Sequence, residues 1–511
     1  MSTQVSCERC GAVMRGARPV TIALCLWLLL TLPSTAARAQ VQDPRCSQPY
    51  RLSTMGGSVV GRTIAADQYG YVHLLWMETD PADARLVVEY SRFDGRTWST
   101  PVDVALASTA ANIAFLSSSV DRNGTLHLLW VEGPGGPAFY TYAPANEANS
   151  AANWAKPWGI DLEGASEVVL QAGRDGTLHV LYARTSGEQQ GIYYVNSKDR
   201  GVTLSDPVWL DPDMPDGSFP TGLNFRLDAV SGLHALWYYA DLESPGNPGT
   251  WVRYAHSGDG GQTWSEPTTL ARFAKDADDL EYPGPLLSVN GRTVLALWAG
   301  AWMQRTYSYS LDAGATWSAP QEFLKGLVGQ AGDGIALDGD GRVHYLAQVR
   351  YPQGLYHAYW ELDHWSAPSL IYLIARDSSD PMGARVHVHA VQAAVRLGNQ
   401  LVASFVNDPS LPQHVMYAMQ CAVGDVAPSS PLPTPEPVPP TVTQALVPPR
   451  GSTPSQPASS TVMPARDVPF GQSQGQVSTP GSPGSQLILG IAPCLFLLGS
   501  VLVARSLRMR R

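Results

Sequence analysis

The sequence predicts an all-β, seven-bladed β-propeller, and three observations predict it. The first is a sevenfold internal repeat. The second is a composition rich in turn and aromatic residues. The third is a single cysteine at each end of the repeat array. The repeat is clearest as a turn followed by a strand, in Asp67-Gln-Tyr-Gly70-Tyr-Val-His73-Leu-Leu-Trp76 and Asp121-Arg-Asn-Gly124-Thr-Leu-His127-Leu-Leu-Trp130. Further copies centre on Gly176, Gly232, Gly291, Gly341 and Gly398, so successive turn glycines lie 50 to 59 residues apart. A period near 50, with several short β-branched and aromatic runs per unit, is that of propeller blades. Six blades are the alternative count.

Of 511 residues, 15% are charged, while 47 are Gly, 41 Pro, 15 Trp and 21 Tyr. That profile excludes a coiled coil and a multi-span membrane protein. A net charge of −10 excludes a nucleic-acid binder, which needs a basic face.

The ends place the chain. Residues 1–39 read as a signal peptide: an apolar run follows Arg15 and Arg18, and Ala37-Arg-Ala39 precedes the expected cleavage before Gln40. Cys7 and Cys10 make half a zinc knuckle with no second ligand pair, so no metal and no cofactor is assigned. Residues 40–424 are the propeller ectodomain. Residues 425–486 are dominated by Pro, Ser, Thr, Gly and Gln and read as a disordered stalk, reaching about 45 Å as a coil. Residues 487–504 are uncharged and, at about 1.5 Å per residue, long enough for one transmembrane helix. The basic tail 505–511, with Arg505, Arg508, Arg510 and Arg511, stays cytoplasmic by the positive-inside rule. The expectation is a single-pass cell-membrane protein with its propeller outside.

Each unit reads as four strands, at 221–228, 233–239, 250–257 and 264–270 in the fourth. The turn between the first two needs glycine for its positive φ. Residues His73, His127, His179, His234 and His344 share one position in five blades and read as structural hydrogen-bonding groups. The seventh unit ends at Cys421 one strand short, and 46–54 offers the missing strand ahead of the first blade. Cys46 and Cys421, the only cysteines between signal peptide and span, therefore read as one disulfide closing the ring. Such a closure contributes up to about 5 kcal/mol.

The turn between third and fourth strands carries the sharpest motif, S-x-D-x-G-x-T-W. It is complete in Ser257, Asp259, Gly261, Thr263, Trp264 and in Ser310, Asp312, Gly314, Thr316, Trp317. Ser197-Lys-Asp199-Arg-Gly201-Val-Thr203-Leu204 has Leu for Trp, Ser91 to Trp98 is compressed, and Asp363-His-Trp365 is a remnant. Here the chain resembles the Asp-box (BNR) repeat propellers of the sialidase superfamily. The resemblance implies that these boxes are structural and lie on the face away from the ligand.

The opposite face then carries the loops 77–85, 239–249, 271–281, 299–305, 349–354 and 372–385, where binding on a rigid scaffold concentrates. Ligand-binding candidates there are Glu78 and Glu132, the arginines Arg184, Arg272, Arg305, Arg350, Arg376 and Arg385, and the aromatics Tyr239, Trp302 and Tyr351. The family resemblance implies arginines forking onto a substrate carboxylate and a Tyr–Glu nucleophile pair with an Asp acid/base. Glu281, Tyr282, Asp278 and Asp279 are the matching catalytic candidates. Departures count against catalysis. No F/Y-R-I-P motif precedes the first blade, only Pro49-Tyr-Arg51-Leu. Adjacent strand residues such as Glu281 and Tyr282 also point to opposite faces. The acidic run Asp211-Pro-Asp213-Met-Pro-Asp216-Gly217 reads as a turn rather than a calcium loop. The favoured function is recognition of an extracellular ligand, with a glycan first. A membrane-anchored glycoside hydrolase is one alternative and an envelope protein-interaction scaffold another.

Overall fold

A computed structural model describes residues 43–423 except 54, 83, 108–113, 187–188, 215–217, 242–250, 274–283, 301–303, 329–331, 350–351, 362, 374–388, 398 and 407–414. The signal peptide, stalk, span and tail read from the sequence lie outside those residues, as do Asp278, Asp279, Glu281, Tyr282, Trp302, Arg350, Tyr351, Arg376 and Arg385.

Seven antiparallel sheets follow one another along the chain. Their innermost strands are Val59–Ala66, Ala114–Val120, Ala165–Ala172, Ser218–Leu227, Leu286–Asn290, Gly334–Leu337 and His389–Arg396. Each innermost strand contacts the next, and the last contacts the first, so the sheets form a wheel of seven blades. Side chains stitch this inner ring. Thr63 Oγ1 lies 3.0 Å from Ser118 Oγ, Ser117 Oγ accepts from Leu170 N–H at 2.8 Å, and Glu167 accepts from the N–H groups of Gly222 and Leu223, each at 2.9 Å. The Arg62 guanidinium closes the circuit onto the carbonyl of Ala390.

Second strands are buried on both faces because neighbouring blades cover both. Leu74, Leu75 and Trp76 all have no exposure. In the fourth blade the strands are Ser218–Leu227, Leu233–Asp241, Trp251–Ser257 and Thr268–Arg272. The last begins later than the sequence suggests, because Trp264 still belongs to the turn and only from Thr268 does the backbone pair with Tyr254.

The turn glycines mostly behave as expected, Gly124 taking φ +75°. Blade four departs: Ser231 is its left-handed residue at φ 71°. A Cβ on Gly232 would instead come within 2.5 Å of the Asp228 carboxylate. In blades one, two, four and six the turn carboxylate, Asp67, Asp121, Asp228 or Asp338, accepts from its own backbone N–H groups, for Asp67 from Tyr69 at 2.9 Å and Tyr71 at 2.8 Å. It also contacts the repeated histidine, with His73 Nε2 at 3.2 Å. The other ring nitrogen bonds a tyrosine of the third strand, His73 to Tyr90 at 2.8 Å, His127 to Tyr140 at 2.6 Å and His234 to Tyr254 at 2.6 Å. Burial holds His73, His234 and His344 below the usual histidine range and His179 down to about 4. These histidines are neutral parts of the scaffold.

Closure follows the cysteines. Tyr50–Arg51 pairs with Met416–Ala422, the third strand of blade seven, and so supplies that blade's outer strand. The Cys46–Cys421 disulfide spans 375 residues beside this pairing. Joining first and last segments in one sheet removes the open edges a ring of sheets would otherwise present.

Candidate functional site

Strand direction sorts the two ends of the wheel. Every first strand runs toward the end that carries the Asp67-type turns, and every third strand returns to that same end, where the S-x-D-x-G-x-T-W turns lie in the blades that have them. Loops between second and third strands, and those between blades, share the other end. Cys46 and Cys421 lie at the turn end, Cys421 pairing with Leu401 near the start of the seventh blade's second strand.

At the turn end the box carboxylates are consumed locally. Asp259 accepts from Ser257 Oγ at 2.8 Å, Thr263 N–H at 2.9 Å and Thr263 Oγ1 at 2.5 Å. Asp312 repeats this with Ser310 at 2.7 Å and with Thr316 at 2.8 and 2.6 Å. Hydrogen bonds from Thr263 and Ser257 hold Asp259 down at about 2. Each box also clamps the blade before it. A Cβ on Gly261 would lie 2.3 Å from the Tyr194 ring and one on Gly314 2.0 Å from the Tyr254 hydroxyl, and Trp264 and Trp317 pack on those same rings.

At the loop end the described charged side chains are largely bound to one another. Tyr239 has no exposure and donates to Asp211 at 2.9 Å. Arg253 forks onto that carboxylate with two bonds of 2.9 Å. Asp211, first residue of the acidic run, is therefore held by a guanidinium rather than lying open. Arg305, 4% exposed, forks onto Asp333 at 2.7 and 3.2 Å and donates to the carbonyls of Leu327 and Gln348. Tyr345 and the Gln348 N–H complete the shell of Asp333. Arg184 bonds the exposed Glu163 at 3.1 Å and lies 4.7 Å from the Tyr193 ring centre. Arg272, exposed, covers Trp251 at 3.7 Å and is the described arginine candidate most open to a ligand.

Glu78 and Glu132 sit where the sequence places them, just past the repeated Trp. Both are buried, and each accepts from its indole, at 3.4 Å from Trp76 and 3.2 Å from Trp130. Glu78 also accepts from Gly57 N–H at 3.0 Å, which ties the segment entering blade one to its second strand. Against Glu78 lies Glu89, 2% exposed. Burial first, then the neighbouring carboxylate, pushes Glu89 up to about 8. Burial and the neighbouring carboxylate therefore favour the neutral form of Glu89.

Sequence reading does not single out Glu89 or Arg253, although a signal exists. The third-strand position opposite the repeated aromatic is Glu89, Phe139, Tyr193, Arg253 and Thr306 in successive blades. A charge there breaks an otherwise uncharged column.

A titration follows from the raised Glu89. Glu89 is raised in the folded state, so its contribution to stability is full below about 4.5 and is lost as pH rises toward 8. Glu89→Gln keeps a donor for Glu78 and removes the titration. Denaturation at pH 5 and pH 8 is expected to show the variant gaining on the parent by up to about 1.4 kcal/mol per pH unit across that window. A difference that does not change with pH contradicts the raised Glu89.

No protein-family model and no curated protein matches the chain. Among solved structures, a protein of unknown function from Dyadobacter fermentans is 16% identical, covering 75% of this chain and 100% of its own at a TM-score of 0.45. The K499G mutant of the NanB sialidase from Streptococcus pneumoniae is 14% identical over 73% of this chain and 71% of its own, TM-score 0.42. The polysaccharide lyase Uly1 is 12% identical over 76% and 94%, TM-score 0.49.

Proposed function

We propose that this chain is a surface-anchored sialidase-like propeller that recognises an extracellular glycan with its loop end. The observation that carries the reading is the open Arg272 guanidinium stacked 3.7 Å from the Trp251 ring at the loop end. Recognition is favoured over hydrolysis because the described loop-end carboxylates are engaged. Asp211 and Asp333 are held by arginines, Glu78 accepts from Gly57 and Trp76 with Glu89 buried beside it, and Glu132 bonds Trp130. A glycosidase needs two working carboxyls about 5 to 9.5 Å apart at an open site. Glycan contact would come from aromatic faces and guanidinium groups such as Trp251 with Arg272.

The test is a glycan array probed with the full chain in a non-glycoside detergent, beside a fluorogenic sialoside assay. Selective array binding without turnover is expected, weakened by Arg272→Ala. Turnover that disappears on substituting Glu281 or Tyr282 would make the chain a membrane-anchored hydrolase instead.

A further inference from the structure

Blade six carries a second histidine where four other blades carry a tyrosine. In blades one to four the repeated histidine bonds a third-strand tyrosine, at Tyr90, Tyr140, Tyr194 and Tyr254. The equivalent residue of blade six is His357, which pairs across the strands with Leu346 as Tyr254 pairs with Leu236. His344 Nδ1 lies 2.9 Å from His357 Nε2, and the two rings stack with centres 5.2 Å apart. Both residues are buried, at 1% and 6% exposure. A phenol keeps its proton from pH 4 to 8, roughly, whereas an imidazole gains a charge in that range unless its surroundings forbid it.

The bonding assigns the protons of the pair. Asp338 Oδ1 accepts from two N–H groups of its own turn, and Asp338 Oδ2 accepts from His344 Nε2 at 3.2 Å. His344 Nδ1 is then an acceptor and His357 Nε2 its donor, which leaves His357 Nδ1 as the base. A proton added to His344 Nδ1 would set two N–H groups against each other.

The first described segment of the chain lies on this blade. Asp43 N–H donates to the Leu370 carbonyl of blade six at 2.8 Å, and Arg45 Nη2 lies 2.7 Å from Asp43 Oδ2. Cys46 packs against the cluster that holds Leu346 and Leu355, and joins Cys421. Asp338 and Arg342 act on His344, and Asp43 and Arg45 act on His357. Tyr359 lies 6.1 Å from the His357 ring, beneath the Arg342 guanidinium. Asp338 is committed to His344 and Asp43 to Arg45, so among the described residues no carboxylate is left for an imidazolium at His357. Burial first, then His344 and Arg45, hold His357 down from 6.5 to about 3. A base lowered in the folded blade leaves that blade fully stable above pH 6.5 and weakens it as pH falls toward 3. Blade four differs: His256 stacks on His234 at 6.4 Å, but the hydrogen bond of His234 goes to Tyr254.

We infer that the His344–His357 pair and the 43–46 strap form an acid-sensitive latch on the ring. Proton uptake by the pair releases the strap from blade six and opens the Cys46–Cys421 clasp to solvent.

The full chain is treated with a phosphine reductant at pH 7 and pH 4.5, and the rate of disulfide loss is normalised to that of oxidised glutathione in the same buffer. The normalised rate is expected to rise about tenfold or more in acid; one proton at His357 allows up to about a hundredfold. Amide exchange, corrected for its intrinsic pH dependence, should rise at 43–47 and in Gly354–Glu361 before it rises in Gly191–Ser197 of blade three. His357→Tyr restores the residue of the other blades, and His357→Gln keeps an N–H for His344 Nδ1. Both are expected to cut the acid response to threefold or less. The ratio of the two rates is the readout, so a variant less stable at pH 7 still reports. A parent rate that does not rise in acid overturns the inference, as does a rise that persists in both variants. Exchange that rises in Gly191–Ser197 together with Gly354–Glu361 also overturns it, because acid would then loosen the wheel as a whole.

Discussion

Arg305→Met is expected to destabilise the propeller by about 3–5 kcal/mol, the scale for stripping one partner from a buried ion pair. Arg305 begins the third strand of blade five, while its partner Asp333 stands just before the first strand of blade six. The guanidinium also takes the Gln348 carbonyl on the second strand of blade six, so one side chain ties two blades and their connecting loop. Removing it leaves the Asp333 carboxylate, 9% exposed, with only Tyr345 and a backbone N–H. Burial alone disfavours that charge. Urea denaturation at pH 7 reads the loss, and Arg305→Met with Asp333→Asn should recover part of it, because the orphaned charge goes too. Arg272→Ala, removing an exposed cation from Trp251, is expected to change stability by less than about 1 kcal/mol. Equal stability of Arg305→Met and the parent, or no recovery in the double variant, contradicts this account.

Arg305 also shows where sequence reading reaches its limit. As one of several arginines in successive loops it looks like a ligand group, and nothing near it in sequence announces Asp333, 28 residues on. Tyr239 is similar. Its blade-four strand runs on to Asp241, past the boundary read at 239, and Asp211 from the preceding loop meets the Tyr239 hydroxyl in the interior. Both pairings depend on how a loop between blades folds back, and loops carry no periodic pattern.

Strands are different. Gly124, His127 and Trp130 recur with His73 and Trp76 because each blade solves the same packing problem. A turn needs a left-handed residue, a buried Asp–His–Tyr chain needs its middle member, and a doubly covered strand needs a large apolar side chain. Repetition made seven sheets, their order and their closure legible. The box turns were legible for the same reason, but their role as clamps on the preceding blade was not, since Tyr194 and Gly261 lie 67 residues apart.

Reduction of Cys46–Cys421 is expected to lower stability by at most about 5 kcal/mol, the top of the range disulfides deliver and a little under the chain-entropy value of about 6 kcal/mol for so long a loop. The non-covalent part of the clasp is modest. Tyr50 and Arg51 pair with Ala418 and Tyr417. Around them Ser47 and Gln420 exchange bonds of 2.8 and 3.1 Å, and Leu52 N–H donates to Met416 at 2.9 Å. Leu52, 1% exposed, is the clasp's buried apolar anchor. When the covalent link is gone this short segment must hold the outer edge of blade seven unaided. Amide exchange should therefore rise first at 416–422 and along 46–53, ahead of the Leu233–Asp241 strand opposite in the ring. Cys46→Ser with Cys421→Ser should reproduce the reduced protein and make it indifferent to reductant. A midpoint that is the same oxidised and reduced, or exchange that rises in all seven blades together, would mean that the inner ring of hydrogen bonds closes the wheel by itself. Thr63, Ser117, Glu167 and Arg62 would then outweigh the disulfide as the lock.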